Sequence, residues 1–358
     1  MSASGILAKG VERGIITAEQ AERLRALESA GGPPELPVSP DDEQLRLVSG
    51  FSDIFVTVGL ALFLGATGYL ALFAGGLIVM WAAVAIAAWL LAEFFTRMRR
   101  MALPSIVLLI VFAKSVFFGI AIPLWVSTET PTNYRPPPGL FELSMFTPGV
   151  LAISACVTVL LTALHYWRFC VPITIAAGCG ALTIAIVALA DGLAPGQSRG
   201  AHDAVMFVCG LAIFGLAMRF DMADPARLTR RTDIAFWLHL LAAPLIVHSL
   251  IRGIFDTGSK LDAGSAVVIV ALFLVLGIVA ILIDRRALLV SGLAYAGVAF
   301  STLIRQAGVT DITTPLTVLA LGAFVLLLSA GWKPLRAGIL KLAPSALSRR
   351  LPQPTLSA

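Results

Sequence analysis

From Phe51 to Trp332 the chain alternates long apolar stretches with short polar breaks. A helix needs about 20 mainly apolar residues, within a range of about 17 to 25, to cross the hydrocarbon core of a bilayer. Stretches of that kind fall at roughly 54–74, 76–96, 102–126, 148–167, 170–190, 203–219, 234–251, 264–283, 287–304 and 312–332. They predict an all-α polytopic transmembrane bundle of about ten spans over residues 51–332. The sixth is the shortest, with only about 15 uncharged residues between Asp203 and Arg219.

Outside the bundle the pattern changes. Residues 1–30 read as a small helical hairpin: a short stretch around Ile6 to Val11, then a helix behind Thr17. Thr17 is placed to cap that helix and Gln20, three positions on, to complete a capping box. Ala21, Leu24 and Leu27 would share one face, too few apolar residues for an independent core. Residues 31–50 form a Pro-rich linker and pre-membrane segment, in which Ser39-Pro40-Asp41-Asp42 reads as the cap and first turn of another helix. Residues 333–358 carry five basic and no acidic residues. Leu335, Ile339 and Leu342 recur there at helical spacing with Arg336 and Lys341 off the stripe, as in a segment lying on anionic lipid.

Charge settles the number of crossings. With the N-terminus inside and Lys114 set aside, 20 Lys and Arg face inward and 5 outward. Deleting the sixth span flips everything after it and gives 12 inside and 13 outside. Basic residues concentrate in cytoplasmic segments, so the sixth span is kept and both termini are expected in the cytoplasm. Composition agrees: 58% hydrophobic residues, 13% charged and a mean hydropathy of +0.91, against roughly 25% charged in soluble domains. Topology accounts for the net charge of +5, and no basic run interleaved with aromatics points to nucleic acid. No signal peptide precedes the first span, so insertion by an internal signal-anchor is expected. Trp125, Trp167, Trp237 and Trp332 fall near span ends, where amphipathic rings settle at the headgroups; Trp81 and Trp89 do not, and need a packing role.

Four residues stand out as a ligand or ion site. Lys114 lies about 18 Å from either end of its span, where insertion costs roughly 2.5 to 3.5 kcal/mol, so it should face the bundle interior or a water-filled cavity. Glu93 sits about one turn from a span end with Arg97 at i+4, a pair that a local salt bridge explains. His248 and Arg252 share a face at i+4 beyond Pro244, while His239 lies half a helical rotation from His248. Asp191, Arg252, Asp256, Lys260, Asp262, Arg305 and Asp311 would line an outer entrance or simply be solvated loop ends. Cys156, Cys170, Cys179 and Cys209 all lie in apolar runs without metal-ligand spacing. No catalytic, metal, cofactor or nucleotide motif is complete. The basic breaks at Arg97–Arg100, Arg168 and Arg285-Arg286 recur, without amounting to an internal repeat.

The segment Leu7-Ala8-Lys9-Gly10-Val11-Glu12-Arg13-Gly14-Ile15-Ile16-Thr17-Ala18-Glu19-Gln20-Ala21 resembles the opening of an uncharacterised family of predicted bacterial multi-pass membrane proteins with a short cytoplasmic helical head. The resemblance implies residence in the bacterial inner membrane and carries no activity or catalytic residue. Two functional readings stay open. One is a transporter or ligand-binding membrane protein with a mid-membrane polar site around Lys114. The other is a membrane scaffold or sensor, recruiting a protein partner through its head and anionic lipid through its tail.

Overall fold

The structure, a computed structural model, describes residues 7, 11–14, 16–29, 51–128, 143, 146–196, 198–224, 229–255, 263–308 and 311–342. Among these the regular elements are all helical. The chain divides into a minor unit of residues 1–44 and 354–358 and a bundle unit of residues 45–353.

In the minor unit α1 spans Ala18–Ser29. Its capping box forms as the sequence requires: the Thr17 N–H donates to Gln20 Oε1 at 2.9 Å, and the Gln20 N–H donates to Thr17 Oγ1 at 3.2 Å. Ala21 is buried and Leu24 exposed, so the expected apolar face is only partly covered. The stretch around Ile6, Ser39–Asp42 and the chain beyond residue 342 lie largely or wholly outside the described residues.

The bundle begins with α2, Phe51–Ala92, which reverses at Gly75-Gly76 and continues into a π-helical turn, Glu93–Met98. Gly76 adopts φ 74°, ψ −165°, a region essentially confined to glycine. A Cβ on Gly75 would lie 2.4 Å from Val79 Cγ2. The two arms pack antiparallel, with Leu60 and Leu64 of the first in one cluster with Val84, Ala88 and Ala92 of the second. Then follow α3 (Ala102–Thr128), α4 (Pro148–Phe169), α5 (Ile173–Leu193), α6 (Arg199–Met222), α7 (Arg230–Phe255), α8 (Ala263–Ile283), α9 (Ala287–Gln306), α10 (Thr313–Ala330) and α11 (Trp332–Leu342). Eight described segments are long and apolar enough to cross a membrane. The first of them, Phe51–Met98, contains the two arms of α2, and α9 stands between the last two. The short sixth stretch of the sequence is a 24-residue helix, capped by Ser198.

The arms of α2 pack with α3 and α3 with α4, and α6 to α10 form the second half; α5 packs most closely on α4 and also against α6 and α7. A small cluster of Leu109, Val171 and Ile173, with Phe169 and Trp237 against it, joins the halves at one end. That end carries Arg97, Arg99, Arg100, Arg168, Arg219, Arg230, Arg231, Arg285 and Arg286, and is called here the arginine-rich end; the far end is its opposite. Three turns at the arginine-rich end contain a left-handed residue that is not glycine: Arg100 (φ 53°), Cys170 (φ 53°) and Asp284 (φ 58°). At Cys170 the cap N–H donates to Tyr166 O at 2.8 Å, the left-handed stop common at helix ends.

Tryptophans divide differently from the expectation. Trp167 is 80% exposed, as a headgroup anchor would be, but Trp125 and Trp332 are buried. Trp81 stacks on Phe118 with centroids 5.3 Å apart, and Trp89 packs among Phe112, His165 and Phe169. The expected stripe on the tail is also rotated. In α11 Trp332 and Arg336 are buried, Ile339 and Leu340 pack on the bundle and Leu335 is exposed. Arg336 is on the inside face because Asp284 is there to receive it.

Candidate functional site

The helix α6 carries Asp203 near one end and Asp221 near the other, 18 residues apart. Eighteen residues are five helical turns, so both carboxylates project from one face. That face looks onto α7. Each carboxylate meets a basic partner, giving two charged clusters at opposite ends of one helix pair.

At the arginine-rich end Asp221 is held from two sides. Arg285 donates from Nε to Asp221 Oδ2 at 3.1 Å and from Nη2 to Oδ1, a bidentate fork, and reaches Thr232 O at 3.4 Å. His239 Nε2 lies 2.9 Å from Asp221 Oδ2. An ionised carboxylate only accepts, so this contact places the imidazole proton on Nε2. Burial is nearly complete: Arg285 is 2% exposed and His239 0%.

The left-handed Asp284 makes this geometry possible. It breaks α8 after Ile283, and the Arg285 N–H returns to Ala280 O at 2.9 Å. Each residue of the Asp284-Arg285-Arg286 turn then makes contacts of its own. Asp284 accepts from Trp332 Nε1 at 2.8 Å and pairs with Arg336 Nη1 at 3.5 Å. Arg285 grips α6, and Arg286 lies over the Trp332 ring, 5.0 Å from its centroid. Nearby, Asp224 accepts from Thr229 N–H, Thr229 Oγ1 and Thr232 Oγ1 at 2.6–3.1 Å, tying the end of α6 to the start of α7.

The far-end cluster is looser. Arg252 Nη1 is 3.5 Å from Asp203 Oδ1, and Arg252 is about half exposed. His248 Nδ1 makes a short contact with Tyr295 OH on α9. Beside it Asp191 of α5 pairs with His202 of α6 at 3.2 Å, and Arg305 donates to Ser301 Oγ at 2.9 Å. Asp256, Lys260 and Asp262 lie outside the described residues. Between the clusters α6 and α7 approach backbone to backbone. A Cβ on Gly210 would lie 2.9 Å from Ile246 Cγ1 and 3.2 Å from Ile246 N, two residues past the helix-interior Pro244.

The four residues singled out by sequence fall in different places. His248 and Arg252 join the far-end cluster with Asp203 and Tyr295. Glu93 sits at the arginine-rich end, where Oε2 accepts from Arg168 at 2.8 Å and from Arg97 at 3.4 Å; the i+4 pair is there, and an interhelical arginine shares it. Lys114 is half-buried on α3, next to the buried Ser115; α3 packs chiefly on α2 and α4, whereas His248 and Arg252 lie on α7 beside α6 and α9. His165 is buried within the ring cluster of Trp89, Phe112 and Phe169, with Nδ1 3.4 Å from Thr174 Oγ1.

Sequence reasoning passed over Asp221, Asp284 and Arg285, which looked like ordinary charges at span ends. One signal was available: the turn Asp284-Arg285-Arg286 is too short to carry three charges away from the bundle. Among the described residues, no group of three or more His, Cys, Asp or Glu side chains is placed to hold a metal ion. Compared with models of known families, with curated proteins and with solved structures, the chain has no significant match.

Proposed function

We propose that the chain is a transporter of the bacterial inner membrane, with its arginine-rich end and both termini in the cytoplasm and the α6–α7 pair as its moving part. One observation carries the reading: an ionic lock at each end of the pair, with a backbone-close contact at Gly210 between them. If α6 and α7 pivot against each other about that contact, one lock separates as the other tightens, the motion alternating access requires. The two locks differ in strength as such a cycle demands of any one state. The Asp221–Arg285–His239 lock is bidentate and buried, so it seals the cytoplasmic side. The Asp203–Arg252 lock is half exposed and long, so it opens at small cost. His248 and Arg252 then serve at the outer gate, and Lys114 is a fixed charge of the α2–α4 half.

Cysteine accessibility in proteoliposomes tests this. The four native cysteines are replaced by serine, and Thr232→Cys or Ser249→Cys reports each end to a water-soluble maleimide. Weakening the cytoplasmic lock with Asp221→Asn should raise labelling at 232 several-fold and lower it at 249. His239→Gln, which keeps the arginine pair, serves if the first variant does not fold. Labelling that changes only at the mutated end means a static helix pair, and the scaffold reading replaces the transporter.

A further inference from the structure

Beyond the last apolar span, α11 is held at the edge of the hydrocarbon. The helices α8 and α10 reach their apolar limits at Ile283 and Ala330, and α11 begins at Trp332. Its 11 residues rise only about 16 Å, too short for a hydrocarbon core about 30 Å thick. Asp284, the residue after Ile283, pins its first turns by accepting from Trp332 Nε1 and pairing with Arg336. The start of α11 is thereby fixed where two spans leave the apolar layer.

The sides of α11 differ in chemistry. Trp332 and Arg336 are buried, and Ile339 and Leu340 pack on the bundle. Lys333 and Lys341 are exposed. At about 100° per residue, the eight steps between them leave these lysines about 80° apart, on one flank. Leu335, 45% exposed, lies about 200° from Lys333 and about 120° from Lys341, on the other flank. A helix with an apolar and a basic flank beside its docked face suits a bilayer surface, with Leu335 toward the acyl chains and the lysines toward the headgroups.

Charge selects the headgroup. Arg286 is exposed and stands over the Trp332 ring, 5.0 Å from its centroid, beside the residue that Lys333 follows. From Arg285 to Leu342 the sequence holds one acidic residue, Asp311, and it lies at the far end. Among the described residues no carboxylate pairs with Arg286, Lys333 or Lys341. Asp284 is buried and engaged by Trp332 and Arg336. Elsewhere at the arginine-rich end, by contrast, Glu93 takes up both Arg97 and Arg168.

We infer that Arg286, Lys333 and Lys341 form a headgroup site for an anionic phospholipid, with the phosphate at Arg286 and Lys333 and Leu335 anchoring α11 in the hydrocarbon beneath. The site uses no part of the α6–α7 pair, and it holds for a scaffold as well as for a transporter.

The test uses the full chain in detergent micelles, titrated with phosphatidylglycerol or phosphatidylcholine and read by native mass spectrometry. Phosphatidylglycerol should bind at least tenfold more tightly than phosphatidylcholine. Each basic side chain at an anionic surface strengthens attachment about fivefold. Lys333→Gln with Lys341→Gln, both on the exposed flank, should therefore weaken phosphatidylglycerol about 25-fold and leave phosphatidylcholine unchanged. Arg286→Gln should weaken it about fivefold. Arg230→Gln with Arg231→Gln, exposed at the same end on α7, should leave it bound. No preference for phosphatidylglycerol, or an equal loss in the α7 variant, overturns the inference, since diffuse surface charge then suffices. Displacement of the lipid by millimolar inorganic phosphate overturns it by assigning the cations to a soluble anion. So does a second protein chain that stays bound to the unsubstituted protein and leaves with the Lys333 and Lys341 variant.

Discussion

Asp203 and Asp221 are the same residue type on the same face of α6, and their surroundings make them energetically opposite. Asp221 is buried with Arg285 and His239. Removing one member of a buried pair strands the other charge, at a cost of about 3–5 kcal/mol. Asp203 meets an arginine that is half in water, and such pairs contribute about 0–1 kcal/mol. Thermal unfolding in detergent should therefore show a large loss for Asp221→Ala and little change for Arg252→Ala. The double variant Asp221→Leu with Arg285→Met should lose less than Asp221→Ala alone, because no charge is left without its counterpart. Equal losses for Asp221→Ala and Arg252→Ala would contradict the burial difference. Lys114 was legible because one cation in the middle of an apolar run is conspicuous. Asp221 and Arg285 were not, because each sits at a span end, where charge is expected, and 64 residues separate them.

Elements were far more readable than their contacts. The spans follow from the need to bury backbone polar groups in a solvent without water, and that need is written locally in each apolar run. The reversal at Gly75-Gly76 was legible only as the one-residue gap between the stretches 54–74 and 76–96, and its reason is steric. Gly76→Ala places a side chain at φ 74°, ψ −165° and should destabilise the hairpin by about 1–3 kcal/mol, read as a lower unfolding midpoint. Gly59→Ala is the control, since a Cβ there meets nothing within 4 Å. The orientation of α11 was not readable. Its spacing permits an apolar stripe through Leu335, and only the position of Asp284, 52 residues earlier, turns Arg336 inward. The recurrent basic breaks also share more than charge: the turns at Arg100, Cys170 and Asp284 each use a left-handed residue with a side chain. Periodicity does not report φ.

For the whole molecule, the ten crossings of the proposed reading would return the chain to the side on which it began. Reporter fusions at the two termini, one active only in the cytoplasm and one only outside, should give the same answer at both ends; opposite answers would remove a crossing. The charged contacts also carry an order in time. Asp221 enters the bilayer's edge when α6 is made, but Arg285 follows 64 residues later, and Asp284 waits for Arg336. Synthesis proceeds from the N-terminus at about 5–20 residues per second, so each aspartate spends seconds beside the membrane before its counter-ion exists. A chain that ends before Arg285 is made therefore holds Asp221 with His239 alone, a cluster still missing the arginine that completes it.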